Sequence, residues 1–435
     1  MRVAVVGTGY VGLVVGTGLA EIGHFVTCAD SDEQRIEQLL QGKLPIYEPG
    51  LEELLLRNAE EGRLSFTAHL AEAVENSSVI FICVGTPSGE EGEADVSAVM
   101  DVARAIGACM TGYRVIVIKS TCPVGTSDRV EELMKQLTSH PFDVVCNPEF
   151  LREGAAVDDF LRPDRVIIGC EDVRVEELMK ELYRPVLRTG NPFLTMSRRS
   201  AELAKYACNA LLAARIALLN EIACLCEEYG GDISAIREAA ATDRRIGPQY
   251  LHPSLGFGGS CLPKDVAACA KLARDAGLAS GILESILEAN QRQQERFLQR
   301  ILGYYGEKIG EKTLALWGVT FKARTDDVRG APALRIIDAL LERGATVRVY
   351  DPAAGDKIRS MYGARVLVAS KCYEVLEGAD GLIIPTEWRE FQSPDYERMG
   401  QLMRERVIFD GRNLYSPRNI ATYGFKYFSI GRAPI

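Results

Sequence analysis

The chain has 435 residues, of which 47% are hydrophobic and 25% charged, and its formal net charge is −10. This length predicts about three domains, and the composition is that of an ordinary globular protein with sizeable cores. The acidic balance argues against a nucleic-acid scaffold, so we expect no nucleic-acid partner. The twelve cysteines lack the short spacings of a secreted disulfide framework, and the four histidines lie far apart. We therefore expect no metal site.

Two apolar segments are candidates for a targeting or membrane segment. The N-terminal run at 3–6 leads straight into glycines and is too short for the core of a signal peptide. The most apolar long window, 203–226, carries polar and charged residues that do not suit a membrane span: Lys205, Asn209, Arg215, Asn220 and Glu221. We therefore expect a reduced, cytoplasmic protein with no membrane partner.

The first thirty residues have the pattern strand, glycine turn, helix, strand. Residues 3–6 form a β-branched run typical of a buried parallel strand. The turn at 7–12 reads GTGYVG, which fits G-x-G-x-x-G, and a second strand over 25–29 leads to an acidic residue. This order of elements is typical of a dinucleotide-binding Rossmann domain. The alternative is a glycine-rich turn in another kind of α/β protein.

Each position of this motif has a chemical reason. Gly7 permits the tight turn, Gly9 lets the backbone approach a pyrophosphate, and Gly12 allows the helix to pack closely on the strand. Amides at the helix N-terminus then face the phosphates. Asp30 can accept hydrogen bonds from ribose hydroxyls and would repel a 2′-phosphate, so NAD is favoured over NADP. The cofactor-binding residues expected in the turn are Gly7, Gly9, Tyr10, Val11 and Gly12.

Polar residues follow three further strand-like segments, at 78–87, 114–126 and 143–154. Ligands of open α/β sheets bind beyond the carboxyl ends of the strands. Thr121, Glu149 and Glu153 are therefore candidates for a site. The alternative is that the two glutamates are solvated carboxylates at the starts of helices.

From residue 199 to about residue 300 the hydrophobic periodicity is helical. A long apolar helix ends at the glycine pair 230–231, and within it Lys205 and Asn209 share one face. This polar pair suggests a stripe turned towards a site or an interface, although a solvated helix edge is the alternative. The rest of the helical surface is too apolar for exposure, so we expect it to pack against a second subunit.

The last third returns to alternating strands and helices, with strands over 314–319 and 346–350 around a helix at 332–343. It resembles a second Rossmann module without the full glycine motif, since only Gly318 stands at its first turn. Its phosphate contacts are expected from cations such as Lys322. The predicted fold is α/β, with two Rossmann-like doubly wound domains joined by a central helical domain with a long helix. The expected domains are 1–198, 199–305 and 306–435.

A loop of unusual composition reads GFGGSCLPKD, at 256–265. Its glycines leave little to pack in a core, but they let the backbone approach a ligand closely. Cys261 in such a loop, with Lys264 and Asp265 after it, is suited to act as a nucleophile. The other eleven cysteines lie mostly in strands and apolar helices, where cysteine behaves as a small hydrophobic residue.

With these motifs, the sequence resembles the UDP-glucose/GDP-mannose dehydrogenase family over nearly its whole length. The resemblance rests on GTGYVG, PIYEPGL, FICVGTP, STCPVGT, NPEFLREG, AKYACN, DRRIGPQYLHPSLGFGGSCLPKD and FKARTDDVR. It implies oxidation of the primary C6 alcohol of a nucleotide sugar to a carboxylate with two NAD and one water. DRRIGPQYLHP and FLRPDR look most like the UDP-glucose branch, so the expected substrate is UDP-glucose. GDP-mannose and a UDP-N-acetylhexosamine are the alternatives within the family.

The resemblance also implies roles for single residues. The implied catalytic residues are Cys261, Lys205, Asp265, Asn209, Thr121, Glu149 and Glu153. Beyond the glycine turn, the implied cofactor-binding residues are Asp30, Thr86, Thr121, Glu153, Lys264 and Arg329. The implied substrate-binding residues are Glu149, Phe150, Leu151, Arg152, Lys205, Asn209, Arg245, Tyr250, Gly258, Lys322 and Arg412. Arg245 matches an arginine that reaches the neighbouring subunit's site, so a homodimer or a higher homo-oligomer is expected.

The implied reaction explains why a cysteine is needed. Two oxidations occur at one carbon, and an aldehyde has no second hydride to give until a nucleophile adds to it. Cys261 would add to form a thiohemiacetal, which is oxidised to a thioester and then hydrolysed. Lys205 would stabilise the thiolate and the tetrahedral oxyanions, and Asp265 would orient or deprotonate the water. Two different classes stay open: a two-electron hydroxy-acid dehydrogenase, and a catalytically silent sensor of NAD or nucleotide sugars.

Overall fold

The computed structural model describes residues 1–89, 91–187 and 190–434. Their internal contacts divide the chain into two compact units, Met1–Cys208 and the remainder from Asn209. The boundary falls inside the long helix that the sequence predicted. The predicted limits of three domains stay a prediction.

The first unit is built on one mostly parallel sheet. Its strands are β1 Arg2–Val6, β2 Phe25–Ala29, β3 Leu64–Thr67, β4 Val79–Ile82, β5 Arg114–Ile118, β6 Phe142–Cys146, β7 Val166–Gly169 and β8 Phe193–Met196. Their order across the sheet is β3-β2-β1-β4-β5-β6-β7-β8, with one antiparallel pair, β6 and β7. In β1, Val3 faces Val26 on one side and Val79 on the other. The strand order therefore reverses direction at β1, where open α/β sheets bind ligands.

Helices connect these strands. They are α1 Tyr10–Glu21, α2 Glu33–Leu40, α3 Leu51–Glu60, α4 Leu70–Glu75, α5 Ser97–Cys109, α6 Thr126–Leu137, α7 Ala156–Leu161, α8 Val173–Tyr183 and the start of α9 Arg198–Tyr229. Alternate residues of β1 belong to different cores, with Val3 and Val5 in one, and Ala4 and Val6 in the other. The sheet is therefore covered on both faces, which is why its strands read as continuous apolar runs.

The second unit contains a second parallel sheet. Its strands are β9 Thr313–Trp317, β10 Thr346–Tyr350, β11 Val366–Val368, β12 Gly381–Ile384, β13 Val407–Asp410 and β14 Lys426–Phe428. The order is β11-β10-β9-β12-β13-β14, and each neighbouring pair is parallel. The reversal at β9 repeats the reversal at β1. The predicted second Rossmann-like sheet is confirmed.

Helices of the second unit lie before β9 and also between its later strands. Its helices are α10 Ile233–Thr242, α11 Leu262–Asp275, α12 Gly281–Tyr305, α13 Pro332–Glu342, α14 Gly355–Tyr362, α15 Tyr396–Leu402 and α16 Pro417–Ala421, with 3₁₀ turns at Gly306–Glu311, Gly363–Arg365, Glu374–Leu376 and Arg389–Phe391. Strand bounds such as 25–29 and 346–350 were predicted from the sequence. The predicted α/β class, with two Rossmann-like sheets and a long helix between them in the chain, is confirmed.

Within the described part of the chain, α9 is the one helix long and apolar enough to cross a membrane by length and composition. This is weak evidence, because a core helix passes the same test. Two charged side chains near its start, those of Glu202 and Lys205, are buried and bonded within the first unit. Glu202 accepts from the backbone N–H of Ser127 at 2.7 Å, and Lys205 donates to Glu149 at 2.7 Å. Buried groups bonded in this way are typical of a core helix.

Candidate active site and family

The glycine turn after β1 has a shape that only glycines allow. Gly7 has a φ of +97°, and a Cβ built on Gly12 would lie 1.8 Å from the Gly7 carbonyl oxygen. A Cβ on Gly9 would meet nothing within 4 Å, so this backbone faces open space. Gly9 is also the N-cap of α1 and has no side chain to bond the first amides of the helix. The turn therefore fits the pyrophosphate of a dinucleotide.

Asp30 lies at the end of β2 beside this turn. Its Oδ2 accepts from the Thr8 N–H at 2.7 Å and the Thr8 hydroxyl at 2.8 Å, and its Oδ1 accepts from the Asp32 N–H at 3.0 Å. Burial alone would raise the pKa of Asp30, but these hydrogen bonds and the charge of Arg35 lower it. The carboxylate is therefore ionised and fixed at the position where a ribose is expected.

Arg35 is a cation at this edge that the sequence analysis missed. Its guanidinium lies 3.3 Å from the Asp30 carboxylate and 3.5 Å from that of Asp32. The available signal was its place in the first turn of α2, close after the acid. Its side chain is 37% exposed, so it can meet an incoming ligand.

The ends of β4 and β5 are tied together by hydroxyl groups. The Thr86 hydroxyl donates to the Thr121 carbonyl at 2.8 Å, and the Ser120 hydroxyl donates to the Val84 carbonyl at 2.7 Å. Thr86 is buried and Thr121 half-buried. Two of the predicted residues are thus brought to one edge of the sheet by direct contact.

Lys205 and Glu149 form a buried ion pair. The Lys205 ammonium donates to Glu149 Oε1 and to the Glu149 carbonyl, both at 2.7 Å, and the two side chains are 4% and 7% exposed. The other carboxylate oxygen accepts from the Leu151 N–H at 2.6 Å. Burial would raise the pKa of Glu149, but Lys205 and the hydrogen bonds lower it. The alternative of a solvated carboxylate is wrong for Glu149, and that of a solvated helix edge is wrong for Lys205.

A second buried cation, Lys119, lies at the end of β5. It donates to Asn147 Oδ1 at 3.0 Å, and the Tyr183 hydroxyl donates to the same oxygen at 2.6 Å. Burial lowers the pKa of Lys119 to about 8, although the charge of Glu149 acts in the opposite direction. Its only signal in the sequence was a lysine ending the apolar run RVIVIK.

The segment after Glu149 carries further predicted residues. The Arg165 guanidinium lies 3.9 Å from the centre of the Phe150 ring, and the Lys205 ammonium lies 5.3 Å from it. Arg152 is exposed and pairs with Asp159 at 2.6 Å. Glu153 is half-buried. The structure therefore brings Phe150, Leu151 and Glu149 together around Lys205, whereas Arg152 is bonded to α7.

In the second unit, Cys261 differs from the other cysteines. Of the twelve, all within the described residues, it alone is exposed. It is the N-cap of α11, and its carbonyl accepts from the Asp265 N–H at 2.8 Å. The Ser260 hydroxyl oxygen lies 3.7 Å from its Sγ. The expected nucleophile is therefore accessible and stands at the start of a helix.

Asp265 lies in the first turn of the same helix and is buried, with 1% of its surface exposed. The Asn209 amide donates to its Oδ2 at 2.6 Å, and the Lys264 ammonium donates to its Oδ1 at 2.6 Å. Asn209 is buried as well, so the solvated-edge alternative is wrong for it. Three predicted residues thus meet at the first turn of α11.

The glycines of the loop before Cys261 allow a close backbone contact. A Cβ on Gly258 would lie 2.2 Å from the Gly330 carbonyl oxygen, and one on Gly259 would lie 2.8 Å from the Phe321 ring. The Gly259 N–H donates to the Arg329 carbonyl at 3.1 Å. The loop therefore packs on the segment after β9, which carries more of the predicted residues.

Two cations lie at Phe321, which belongs to that segment. The Lys322 ammonium lies 5.4 Å from the centre of the Phe321 ring, and Arg412 donates to the Phe321 carbonyl at 2.8 Å and to the Pro385 carbonyl at 2.6 Å. The Arg329 guanidinium pairs with Asp327 at 2.6 Å. The predicted cations of the second sheet are thus gathered at one end of its strands.

Arg245 and Tyr250 lie in the loop after α10. The Arg245 guanidinium pairs with Asp243 at 2.7 Å, and its side chain is 90% exposed. Tyr250 has a φ of +58°, a conformation uncommon outside glycine. Arg215 of α9 donates to the carbonyls of Ile246 and Gly247 at 2.8 and 2.7 Å. The loop is therefore fixed at its middle, and Arg245 is presented to solvent.

Among the described residues there is no group of three or more His, Cys, Asp or Glu side chains that could hold a metal ion.

Three consecutive segments of the chain match the domains of one protein family. Residues 1–187 match its NAD binding domain, residues 199–292 its central domain and residues 315–417 its UDP binding domain. The chain belongs to the UDP-glucose/GDP-mannose dehydrogenase family. The predicted resemblance is confirmed, and with it an NAD-dependent oxidoreductase.

Individual relatives match almost end to end. The chain is 44% identical to a UDP-glucose 6-dehydrogenase of Pseudomonas aeruginosa, covering 99% of this chain and 98% of that one. It is 42% identical to a UDP-glucose 6-dehydrogenase of Rhizobium meliloti, covering 99% and 100%. Among solved structures, a UDP-glucose dehydrogenase from Pyrobaculum islandicum is 37% identical with a TM-score of 0.91, covering 99% and 97%. A UDP-D-ManNAc dehydrogenase from Pyrococcus horikoshii is 30% identical with a TM-score of 0.87 and full coverage of both chains.

The position of Asp30 predicts a preference for NAD over NADP. Its ionised carboxylate would repel a 2′-phosphate, so kcat/KM for NAD should exceed kcat/KM for NADP. Asp30→Asn should lower the ratio of these two values. Steady-state kinetics with both cofactors measures this. The matched control is Asp101→Asn, at an exposed position of α5. Equal kcat/KM values for the two cofactors in the wild type would remove Asp30 from this role.

The Lys205–Glu149 pair predicts a pH-dependent contribution to stability. Glu149→Gln leaves a buried ammonium without its counter-charge, which typically costs about 3–5 kcal/mol. Because the folded pKa of Glu149 is lowered, this contribution is complete above the unfolded value of about 4.3. It is lost as the pH falls through the folded pKa. Urea unfolding at pH 7 and at acidic pH measures the difference in the free energy of unfolding between the variant and the wild type.

The control for this experiment is Glu171→Gln, at an exposed position of the same unit, which should unfold like the wild type at each pH. A Glu149→Gln variant as stable as the wild type at pH 7 would contradict the prediction.

Proposed function

We propose that the protein oxidises the C6 primary alcohol of UDP-glucose to the carboxylate of UDP-glucuronate, using two NAD and one water. The observation that carries the proposal is the exposed Cys261 thiol at the start of α11, beside Lys264 and the Asp265–Asn209 pair. The choice of sugar is supported by whole-length relatives named UDP-glucose 6-dehydrogenase at 44% and 42% identity. The UDP-D-ManNAc dehydrogenase is less similar, at 30%.

When bound, NAD accepts the hydride that leaves the substrate carbon in each of the two oxidations. The glycine turn and Asp30 would hold it, with Thr86, Lys264 and Arg329 as further proposed contacts. Thr121, Glu149 and Glu153 are proposed to hold the water that takes the proton of the C6 hydroxyl. Glu149 is also bonded to Lys205 and to the Leu151 N–H, so it would hold the Lys205 ammonium and the backbone at Leu151 in place as well.

After the first oxidation, the Cys261 sulfur forms a bond to the aldehyde carbon, and the product is a thiohemiacetal. The second oxidation removes the hydride from this carbon and the proton from its hydroxyl group, which leaves a thioester. Water then attacks the same carbon, the C–S bond breaks, and the carboxylate and the thiol are released. Asp265 holds Asn209 and Lys264 and is proposed to take the proton of this water.

Lys205 is proposed to serve the same reaction centre as Asn209. The two residues lie four positions apart on α9, which puts them on one helical face. A buried ammonium held at a fixed place can stabilise a developing oxyanion without reorganisation. Its pairing with Glu149 keeps its position defined before substrate binds.

The nucleotide is proposed to bind at the second sheet. Lys322 lies near the Phe321 ring and Arg412 donates to the Phe321 carbonyl, and cations there would neutralise the diphosphate. Gly258 would allow the loop to approach the sugar, and Tyr250 would flank it. Residues 149–152 are proposed to bind the sugar through the segment fixed by Lys205. The match of residues 315–417 to a UDP binding domain supports this assignment.

A homodimer, or a higher homo-oligomer built from it, is part of the proposal. Leu211, Leu218 and Leu225 of α9 are 67%, 62% and 52% exposed and recur every seven residues. A leucine stripe of this kind is costly in water and fits a second copy of the helix. We propose a cytoplasmic enzyme without nucleic-acid or membrane partners, in keeping with its acidic composition.

The first test is the NADH yield from a panel of UDP-glucose, GDP-mannose and UDP-N-acetylhexosamines. UDP-glucose should be oxidised fastest, with two NADH per molecule and no released aldehyde. Cys261→Ala should lose ~10³-fold or more in turnover, since removal of a covalent nucleophile costs several orders of magnitude, and should still bind NADH and UDP-glucose. Cys269→Ala, at a half-buried cysteine of the same helix, is the control and should keep the activity.

Faster oxidation of GDP-mannose would overturn the choice of sugar. Near-normal production of two NADH by Cys261→Ala would overturn the thioester route, and an unreactive but ligand-binding wild type would favour a sensor.

Arg245 is expected to act on the neighbouring subunit's site. Arg245→Ala and Cys261→Ala should each be inactive, while a mixed dimer contains one site with both Cys261 and Arg245. Differently tagged subunits allow mixed dimers to be isolated and assayed. Their recovered activity should approach half that of the wild type. Verified mixed dimers with no activity would place Arg245 in its own subunit's site.

A further inference from the structure

The motif PIYEPGL at 45–51 has no part in the proposed reaction, yet it holds a buried carboxylate. Glu48 lies between α2 and α3 and is 6% exposed. A buried carboxylate is costly unless it is well bonded. Its hydrogen-bond partners therefore indicate which parts of the structure it holds in place.

Glu48 accepts hydrogen bonds from two distant parts of the first unit. Its Oε2 accepts from the Tyr10 hydroxyl and from the Gly154 N–H at 2.6 Å. Its Oε1 accepts from the Ala156 N–H at 2.8 Å. Tyr10 belongs to the glycine turn, and Gly154 directly follows Glu153. Glu48 thus joins the cofactor-binding turn to the segment that carries two of the proposed catalytic glutamates.

Tyr10 is held in the donor form that this contact needs. Burial, the hydrogen bond to Glu48 and the charges of Glu48 and Glu153 raise the pKa of Tyr10 well above its usual value. The hydroxyl therefore stays protonated and donates to the carboxylate.

The segment from Asn147 to Ala156 is fixed at three places. The Asn147 amide donates to the Ile167 carbonyl at 2.8 Å, and the Glu149 carboxylate accepts from Lys205 and Leu151. Glu48 holds the third place, at 154–156. Glu153 lies between the second and third of these, so its position depends on Glu48.

We propose that Glu48 is a positioning residue that fixes the glycine turn and Glu153 in one arrangement. NAD binding and the handling of water by Glu153 then both depend on it. The part concerning Glu153 rests on the proposed function, whereas the part concerning NAD rests only on the NAD binding domain.

Glutamine cannot replace this carboxylate. In Glu48→Gln, if the new amide oxygen faces Tyr10 and Gly154, the amide NH₂ group faces the Ala156 N–H; turned around, it faces the Gly154 N–H. Either way a buried donor opposes a donor. Displacement of a catalytic group by about 1 Å can cost about 100-fold in rate, so the contacts of Glu48 should be visible in kinetics.

The test uses the full-length protein with Glu48→Gln, Tyr10→Phe and the double variant, and Glu52→Gln as control, because Glu52 is exposed on α3. Fluorescence titration gives the NADH Kd, and steady-state kinetics gives kcat and both KM values. For Glu48→Gln we expect the NADH Kd and the KM for NAD to rise ~10-fold or more. We also expect kcat to fall by a similar factor, and the KM for UDP-glucose to stay within about twofold. Tyr10→Phe should weaken NADH binding less than Glu48→Gln does. The double variant should weaken it no more than Glu48→Gln alone, since the two residues act through one contact.

A purely structural role would lower the melting temperature and leave the NADH Kd and kcat of the folded protein unchanged. That result, or a Glu48→Gln variant with the melting temperature, NADH Kd and kcat of the wild type, would overturn the proposal. If Glu48→Gln does not fold, Tyr10→Phe decides alone, because it keeps both backbone bonds of Glu48, and wild-type NADH affinity in it would overturn the proposal. If the wild type fails to oxidise UDP-glucose, the proposed function fails, while the NADH titrations still decide the role of Glu48.

Discussion

The buried pair of Lys205 and Glu149 is the interaction on which the arrangement of the first unit depends. Burying both charges costs several kcal/mol per ion before they attract each other, and apolar residues in their place would often be as stable. The pair is tolerated because each carboxylate oxygen has its own donor, Lys205 on one and the Leu151 N–H on the other. The pair fixes a buried ammonium and a buried carboxylate in one arrangement, which the proposed reaction uses.

The two Rossmann-like sheets use the same device where their strand order reverses. At the end of β2, Asp30 accepts from the Thr8 N–H at 2.7 Å. At the end of β10, Asp351 accepts from the Val319 N–H at 2.8 Å. In both, an acid on the second strand fixes the turn after the first strand. The second turn has Gly318 without the following glycines, so the anion contacts that we propose there would come from cations such as Lys322 rather than from a bare backbone.

Local patterns in the sequence predicted most of the fold, whereas the candidate site depends on contacts between residues that are far apart in the chain. Alternation and glycine spacing predicted the bounds of β2 and β10, because burial on a sheet imposes them residue by residue. The alternative readings of Glu149 and Lys205 as solvated groups failed because a charged residue looks the same in sequence whether it faces water or a partner 56 positions away. Glu48 gave no local signal either, since its bond to Ala156 spans 108 positions.

The role that we propose for Cys261, that of the nucleophile, also depends on its surroundings in the fold. A nucleophile must be accessible and must be stabilised as a thiolate, and these demands conflict, because an exposed thiol at the middle of a helix meets no positive potential. At the N-cap of α11, a helix of 14 residues, the thiol meets both the solvent and the positive end of the helix dipole. Asp265, one turn further on, would oppose the thiolate, but its oxygens accept from Asn209 and Lys264. Those two donors screen the acid, so that the thiol and the carboxylate can stand in one turn.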